Sequence, residues 1–275
     1  LTIDGQGHTI NGSGTSRAFY VDCDNVVFKN INFVNTYRKS SGEEGGAICV
    51  DGIATISDCN FTDSFCNLEG GAIFIRGGNI SNCIFTNCKA NDDGGAIAIW
   101  DKTGTISNCI FTNCHIKDND DDYDGGAIYL DKSGNVSNCS FTDCHTYGDD
   151  GGAIDIEGDG RIEGCNFINC FADDGDGGAV VIWGSGTIIG CTFTNCYINN
   201  NSHKFRGGAI YLDYGGTVLD CNFLNCTNYG GDGGAIYLDD GGTVLDCNFT
   251  NCNAFLVSDY YAYGGAVYIR GSGTI

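Results

Sequence analysis

The chain has 275 residues with no proline and no methionine, and it carries 35 Asp and Glu against 13 Lys and Arg, a formal charge of −22. Such a charge repels nucleic acid and anionic membranes and favours divalent cations or neutral glycans as partners. No run of about 18 apolar residues occurs, so no transmembrane segment is expected. The start shows no basic or signal-like stretch, and Gly273-Thr274-Ile275 stops inside a repeat, so both ends are expected to continue into a longer chain.

The tripeptide Gly-Gly-Ala returns nine times, starting at Gly45, Gly70, Gly94, Gly125, Gly151, Gly177, Gly207, Gly233 and Gly264, at spacings of 25, 24, 31, 26, 26, 30, 26 and 31 residues. A period of this size marks units that cannot bury their own apolar faces and must stack on their neighbours. No linker interrupts it, so residues 1–275 are expected to form one solenoid segment: a first coil near 16–44, then nine Gly-Gly-Ala coils.

Within each repeat the columns follow in a fixed order. Aliphatic pairs such as Ile48 and Val50, Ile73 and Ile75, Ile128 and Leu130, Ile154 and Ile156, and Ile236 and Leu238 bracket a tolerant position. That position reads Cys49, Phe74, Ala98, Tyr129, Asp155, Val181, Tyr211, Tyr237 and Tyr268. The alternation predicts a strand with aliphatics inward and the tolerant column outward. After a turn such as Asp239-Asp240-Gly241-Gly242, a second strand follows, as in Thr105-Ile106-Ser107.

Asn30, Asp58, Asn82, Asn108, Asn138, Gly164, Gly190, Asp220 and Asp246 then form a column of residues that tolerate left-handed backbone, which predicts a corner. A third strand, Cys-x-Phe-x-x-Cys, aligns Phe33, Phe61, Phe85, Phe111, Phe141, Phe167, Phe193, Phe223 and Phe249 as an internal aromatic stack. Two residues beyond each Phe lie Asn35, Asp63, Asn87, Asn113, Asp143, Asn169, Asn195, Asn225 and Asn251, either a second corner or an amide ladder. Three short strands per turn and no helical period predict an all-β parallel β-helix of about ten coils.

The repeated Gly125-Gly126-Ala127-Ile128 pattern with a Phe-x-x-Asn-like element resembles the repeats of chlamydial polymorphic outer membrane proteins, although Cys takes the last place here, as in Phe111-Thr112-Asn113-Cys114. The opening Leu1-Thr2-Ile3-Asp4-Gly5-Gln6-Gly7-His8-Thr9-Ile10, followed by Asn25-Val26-Val27-Phe28-Lys29-Asn30-Ile31-Asn32-Phe33, is similar to the adhesin-like surface proteins of methanogenic archaea. The resemblance covers essentially the whole chain. It implies a β-helical adhesin at the cell surface, whose partners would be glycans or proteins of a host or neighbouring cell, or copies of itself.

Eighteen cysteines is a high number, and fifteen form two columns flanking the Phe stack. The first holds Cys59, Cys83, Cys109, Cys139, Cys165, Cys191, Cys221 and Cys247; the second holds Cys88, Cys114, Cys144, Cys170, Cys196, Cys226 and Cys252. Ile31 in a first-column slot argues that this column points inward. The columns read as ladders of buried thiols, as inter-coil disulfides, or as metal ligands, the last without any Cys-x-x-Cys or Cys/His grouping to support it. Cys23, Cys49 and Cys66 fall outside the columns and are expected to be the exposed thiols.

All length variation falls between the second Cys column and the next Gly-Gly-Ala, so the inserts project from one edge; the long ones are 36–44, 115–124, 197–206 and 253–263. Such same-side inserts form binding surfaces in repeat proteins. The ligand-contact candidates there are Tyr123, His203, Lys204, Phe205, Arg206, Phe255, Tyr260, Tyr261 and Tyr263, with a local cover over the solenoid wall as the competing role for the rings. Asp118, Asp120, Asp121, Asp122 and Asp124 could supply oxygens to calcium, the one cofactor contemplated, and Asp92-Asp93, Asp149-Asp150 and Asp173-Asp174-Asp176 recur on the same edge. Solvated charge is the alternative.

Polysaccharide cleavage would need a carboxylate pair or a base placed at one point, whereas the acids here track the repeat, so a non-enzymatic adhesin or stalk is expected ahead of a spacer or filament subunit and of a lyase or hydrolase. Asn-x-Ser/Thr sites at Asn11, Asn60, Asn79, Asn135, Asn138, Asn200, Asn225 and Asn248 are glycosylation candidates in a secreted chain.

Overall fold

The computed structural model describes residues 1–38, 44–117, 123–147, 150–199, 205–255 and 262–275. Among these residues every regular element is a β-strand, and the strands form three parallel sheets of 19, ten and nine members that run the length of the stack. The largest sheet takes both the Gly-Gly-Ala strand and the second segment of each coil. In Ile48–Ser57 and Ile73–Ser81 the two are one continuous strand. The Phe strands make the ten-membered sheet. The third face is a two-residue strand just after the second Cys column, as in Lys89–Ala90, His115–Ile116 and Phe171–Ala172. Thr2–Asp4 and Thr9–Asn11 pair with Val26–Lys29 and Asn32–Val34, extending the stack ahead of residue 16.

Exact repetition of side-chain type puts like on like. From Phe33 to Phe249 the rings lie 4.7–4.9 Å apart with planes within 8° of parallel, and the central ones are fully buried. Burial of each such ring stabilises the stack by about 2–3 kcal/mol. The second Asn/Asp column is both a corner and a ladder: Asn169 has φ 54°, and its amide donates to Asp143 Oδ1 at 3.0 Å while its own Oδ1 accepts from Asn195 at 3.0 Å.

Gly-Gly-Ala has a steric cause. At Gly70 φ is +64°, and at Gly71 an added Cβ would sit 2.1 Å from the Gly95 carbonyl oxygen and 2.3 Å from that of Lys89, the residues one rung further up the stack. Only a glycine lets the short-strand face close against the coil above. The alanine that follows is buried, and its carbonyl accepts two N–H groups from the previous coil, as Ala96 does from Ala72 and Ile73.

None of the eighteen cysteines is in a disulfide. Thiols of the first column donate to the carbonyl two residues back, as Cys83 does to Ser81 at 3.2 Å, and the columns run as buried ladders whose exposure rises only at Cys247 and Cys252. Burial pushes the thiols of Cys88, Cys144, Cys170 and Cys196 well above the ordinary range. The expected exposure of Cys49 and Cys66 is corrected. Cys66 is the inward residue of Phe65–Cys66, equivalent to Ala90 and Ile116, and Cys49 lies under a cover outside the sheet; only Cys23 is exposed.

Candidate functional site

The tolerant column does face away from the main core, yet it is not solvated: Cys49, Phe74, Ala98, Tyr129, Asp155, Val181, Tyr211 and Tyr237 are all buried. They form the floor of a trough along the outside of the largest sheet. Cys49, Phe74 and Ala98 pack with Trp100 at one end, and Val181, Tyr211 and Tyr237 with Trp183 and Tyr268 at the other.

One wall of the trough is the residue immediately before each Gly-Gly-Ala: Glu44, Glu69, Asp93, Asp124, Asp150, Asp176, Arg206, Asp232 and Tyr263, acidic in seven of nine coils. Those acids are tied to one another through the backbone. Asp93 Oδ1 accepts the Asp124 N–H at 2.9 Å, Asp124 Oδ1 the Asp150 N–H at 3.0 Å, Asp176 Oδ1 the Arg206 N–H at 2.6 Å and Asp232 Oδ1 the Tyr263 N–H at 2.7 Å; Asp150 likewise accepts from Asp176. Burial is the main reason that Glu69 and Asp93 are each pushed up to about 8. The sequence held this wall in plain view, since the residue before Gly-Gly-Ala is Asp or Glu in seven of the nine repeats. Only Asp93, Asp124, Asp150 and Asp176 stood out, as parts of acidic runs.

Arg206 is engaged within the chain. Its guanidinium lies over the rings of Tyr211 and Tyr237, donates to the Tyr211 hydroxyl at 3.0 Å and pairs with Asp176 at 3.7 Å and Asp239 at 4.0 Å. Tyr263 is exposed at the trough's end, 6.2 Å from the Tyr268 ring. Tyr123 is half-buried, its carbonyl accepting from the Thr146 hydroxyl at 3.5 Å. Phe205 is held by its carbonyl, which accepts from the buried Asn228 amide at 2.9 Å. His203, Lys204, Tyr260, Tyr261, Asp118, Asp120, Asp121, Asp122 and Asn200 lie outside the described residues.

The insert edge begins with an aromatic ladder on the outside of the two-residue strands. Tyr37 stacks on Phe65 at 5.1 Å, and His115, His145, Phe171 and Tyr197 stack in turn at 4.5, 4.6 and 5.0 Å. Burial lowers His115 to about 4 and lowers His145 as well. Beside the ladder stand exposed rings: Tyr147 edge-on to His145, and Phe255 stacked on Tyr229 at 5.5 Å.

Among the glycosylation candidates, Asn60, Asn225 and Asn248 donate their side-chain amides to Asn32, Asn195 and Asn222, and Asn11 accepts from the Ser13 N–H. Asn79 and Asn135 are exposed on the outer face of the second segment, Asn135 in a shallow polar depression with Asp159, Arg161 and Thr187; Asn138 is an exposed corner residue.

Three parallel sheets stacked in register around an aliphatic and aromatic core define a β-helical repeat protein. The chain belongs to the family described as the right handed beta helix region, whose model matches residues 46–223. That fold is found in adhesins and also in polysaccharide-degrading enzymes. Comparison with curated proteins and with solved structures gave no match.

Proposed function

We propose that this chain is a stretch of an extracellular, cell-surface β-helix, an adhesin or stalk segment, that presents its insert edge to glycans or proteins. The observation that carries the reading is the concentration of rings on that edge. Tyr147, Tyr229 and Phe255, between 39% and 47% exposed, flank a ladder of half-buried aromatic edges at the base of the variable inserts. A flat apolar face with polar groups beside it serves sugar and protein recognition alike. The similarity to adhesin-like proteins of methanogenic archaea points the same way, as does a net charge that keeps parallel rods apart. Burial keeps fifteen of the thiols out of reach of oxidants, so an oxidising exterior does not conflict with the free state of the ladders, while Cys23 is the exposed one.

A non-enzymatic role is favoured because Asp155, the acid that breaks the column pattern, has no solvent exposure. Binding of the whole chain to arrays of glycans and surface proteins tests the reading, with a Tyr147→Ala/Tyr229→Ala/Phe255→Ala variant as the comparison. Binding that falls about tenfold or more in the variant is expected. Equal binding, or none by either chain, favours a spacer, and release of oligosaccharides from any arrayed glycan would overturn the non-enzymatic part.

A further inference from the structure

The middle of the trough holds a carboxylate that the described residues do not satisfy. Asp155 is fully buried, and among the described residues neither of its oxygens has a hydrogen-bond partner. It is aimed into a cluster, for one oxygen each of Asp124, Asp150 and Asp155 lie within 4.8 Å of one another. The charged groups that weigh most on Asp155 are Asp124, Asp150, Glu157 and Asp93, all acidic. An unpaired buried carboxylate costs several kcal/mol, and like charges beside it add to that cost.

The chain itself shows what such a place requires. Two coils further on, Arg206 occupies the wall position that Asp150 holds here, and its guanidinium stands between Asp176 and Asp239. There the wall carries its own cation; at Asp155 the corresponding residue is a third acid.

We propose that Asp124, Asp150 and Asp155 bind a calcium ion in this trough. Oxygens within 4.8 Å of each other need shifts of only a few tenths of an ångström to meet calcium's 2.3–2.6 Å around one centre, and three carboxylates, some bidentate, supply most of the six to eight oxygens it takes. Magnesium keeps its water shell and suits a buried, carboxylate-lined pocket less well. The floor is closed along the stack by Tyr129 on one side and Val181 on the other, both in register with Asp155. The site joins two consecutive inserts, since Asp124 and Asp150 end them and Asp155 lies on the floor strand that follows the second.

Terbium is the probe for the test, because Tyr129, packed 5.7 Å from Trp100, is placed to sensitise its emission. The whole chain, stripped with chelator, is titrated with terbium and back-titrated with calcium, alongside Asp155→Val, which copies the Val181 of the next coil, and Asp155→Asn, which keeps the shape. The expected result is one saturable terbium site displaced by calcium in the wild type and weakened about tenfold or more in both variants. In thermal unfolding, about 1 mM calcium raises the wild-type midpoint, magnesium does much less, and neither variant responds to calcium. Equal terbium binding by wild type and both variants would place the ion on the exposed acids and overturn the site. So would a wild-type midpoint indifferent to calcium, which would mean that Asp155 is held as a neutral acid. An equal response to magnesium would overturn the identity of the ion.

Discussion

Oδ1 of Asp124 accepts the backbone N–H of Asp150 at 3.0 Å, joining the acidic wall of one coil to the start of the next Gly-Gly-Ala. The same bond runs from Asp93 to Asp124, from Asp176 to Arg206 and from Asp232 to Tyr263. The acids before Gly-Gly-Ala are therefore structural acceptors first. Asp93, Asp124, Asp150, Asp176 and Asp232 each satisfy the N–H of the wall residue one coil on, and the negative potential of the trough follows from stacking such acceptors.

The second glycine of the tripeptide is tested by position along the stack. A Cβ at Gly126 would lie 2.2 Å from the Gly152 oxygen and 2.5 Å from that of His145, while one at Gly265 in the last coil meets nothing within 4 Å. Gly126→Ala is expected to cost about 3 kcal/mol or more, or to prevent folding, and Gly265→Ala less than about 0.5 kcal/mol. Urea unfolding of the two variants checks this; similar losses would refute the steric account.

At Asn169, two contributions can be separated. Asn169→Gly removes the ladder amide but keeps the left-handed corner, as Gly164 and Gly190 do in the other corner column. Asn169→Ala removes both, so it should lose about 1 kcal/mol more than the glycine variant. Denaturant midpoints of the pair give the difference, and an alanine variant as stable as the glycine one would remove the corner from the explanation.

Thiol labelling distinguishes ladder from surface. Cys23 is exposed and Cys247 and Cys252 are partly so, whereas Cys49, pushed up to about 11, and Cys66, pushed up to about 12, are buried with the rest. An aromatic disulfide reagent is expected to modify Cys23 at once, Cys247 and Cys252 slowly, and the others only with denaturant. Mass spectrometry of the native-labelled protein reads the outcome, and early modification of Cys66 would contradict its inward placement.

The core was legible because its columns repeat from coil to coil with one chemistry: Phe33 to Phe249, the first Asn/Asp corner and the first Cys column could each be assigned a place, whereas the second Asn/Asp column stayed between corner and ladder. The trough was not, because burial there is made between coils. Asp155 read as a solvated residue since alternation says only which side of a strand a residue faces, while its neighbours there come from other parts of the stack, Tyr129 and Val181 on the floor and Asp124 and Asp150 on the wall. Cys66 escaped because a two-residue strand is too short to show alternation.

The wall also fixes a pH dependence. Glu69 and Asp93, each near 8 because they are buried, keep their protons in the fold where the unfolded chain has lost them; their contribution to stability is complete below the ordinary carboxylate range of about 4 and is lost as pH rises through about 8. His115, lowered to about 4 by burial, runs the other way: its contribution is complete above about 6.5 and is lost as pH falls through about 4. Between about 6.5 and 8 the carboxylates dominate, so stability in chelator is expected to fall with rising pH, by up to about 1.4 kcal/mol per unit for each group. Asp93→Asn keeps an oxygen for the Asp124 N–H and removes one of these protons, so its slope should be shallower than that of the wild type by up to about 1.4 kcal/mol per unit, the buried Asp155, also raised, keeping its share. Urea midpoints measured across this window test it, and parallel slopes would show that Asp93 is ionised in the folded chain.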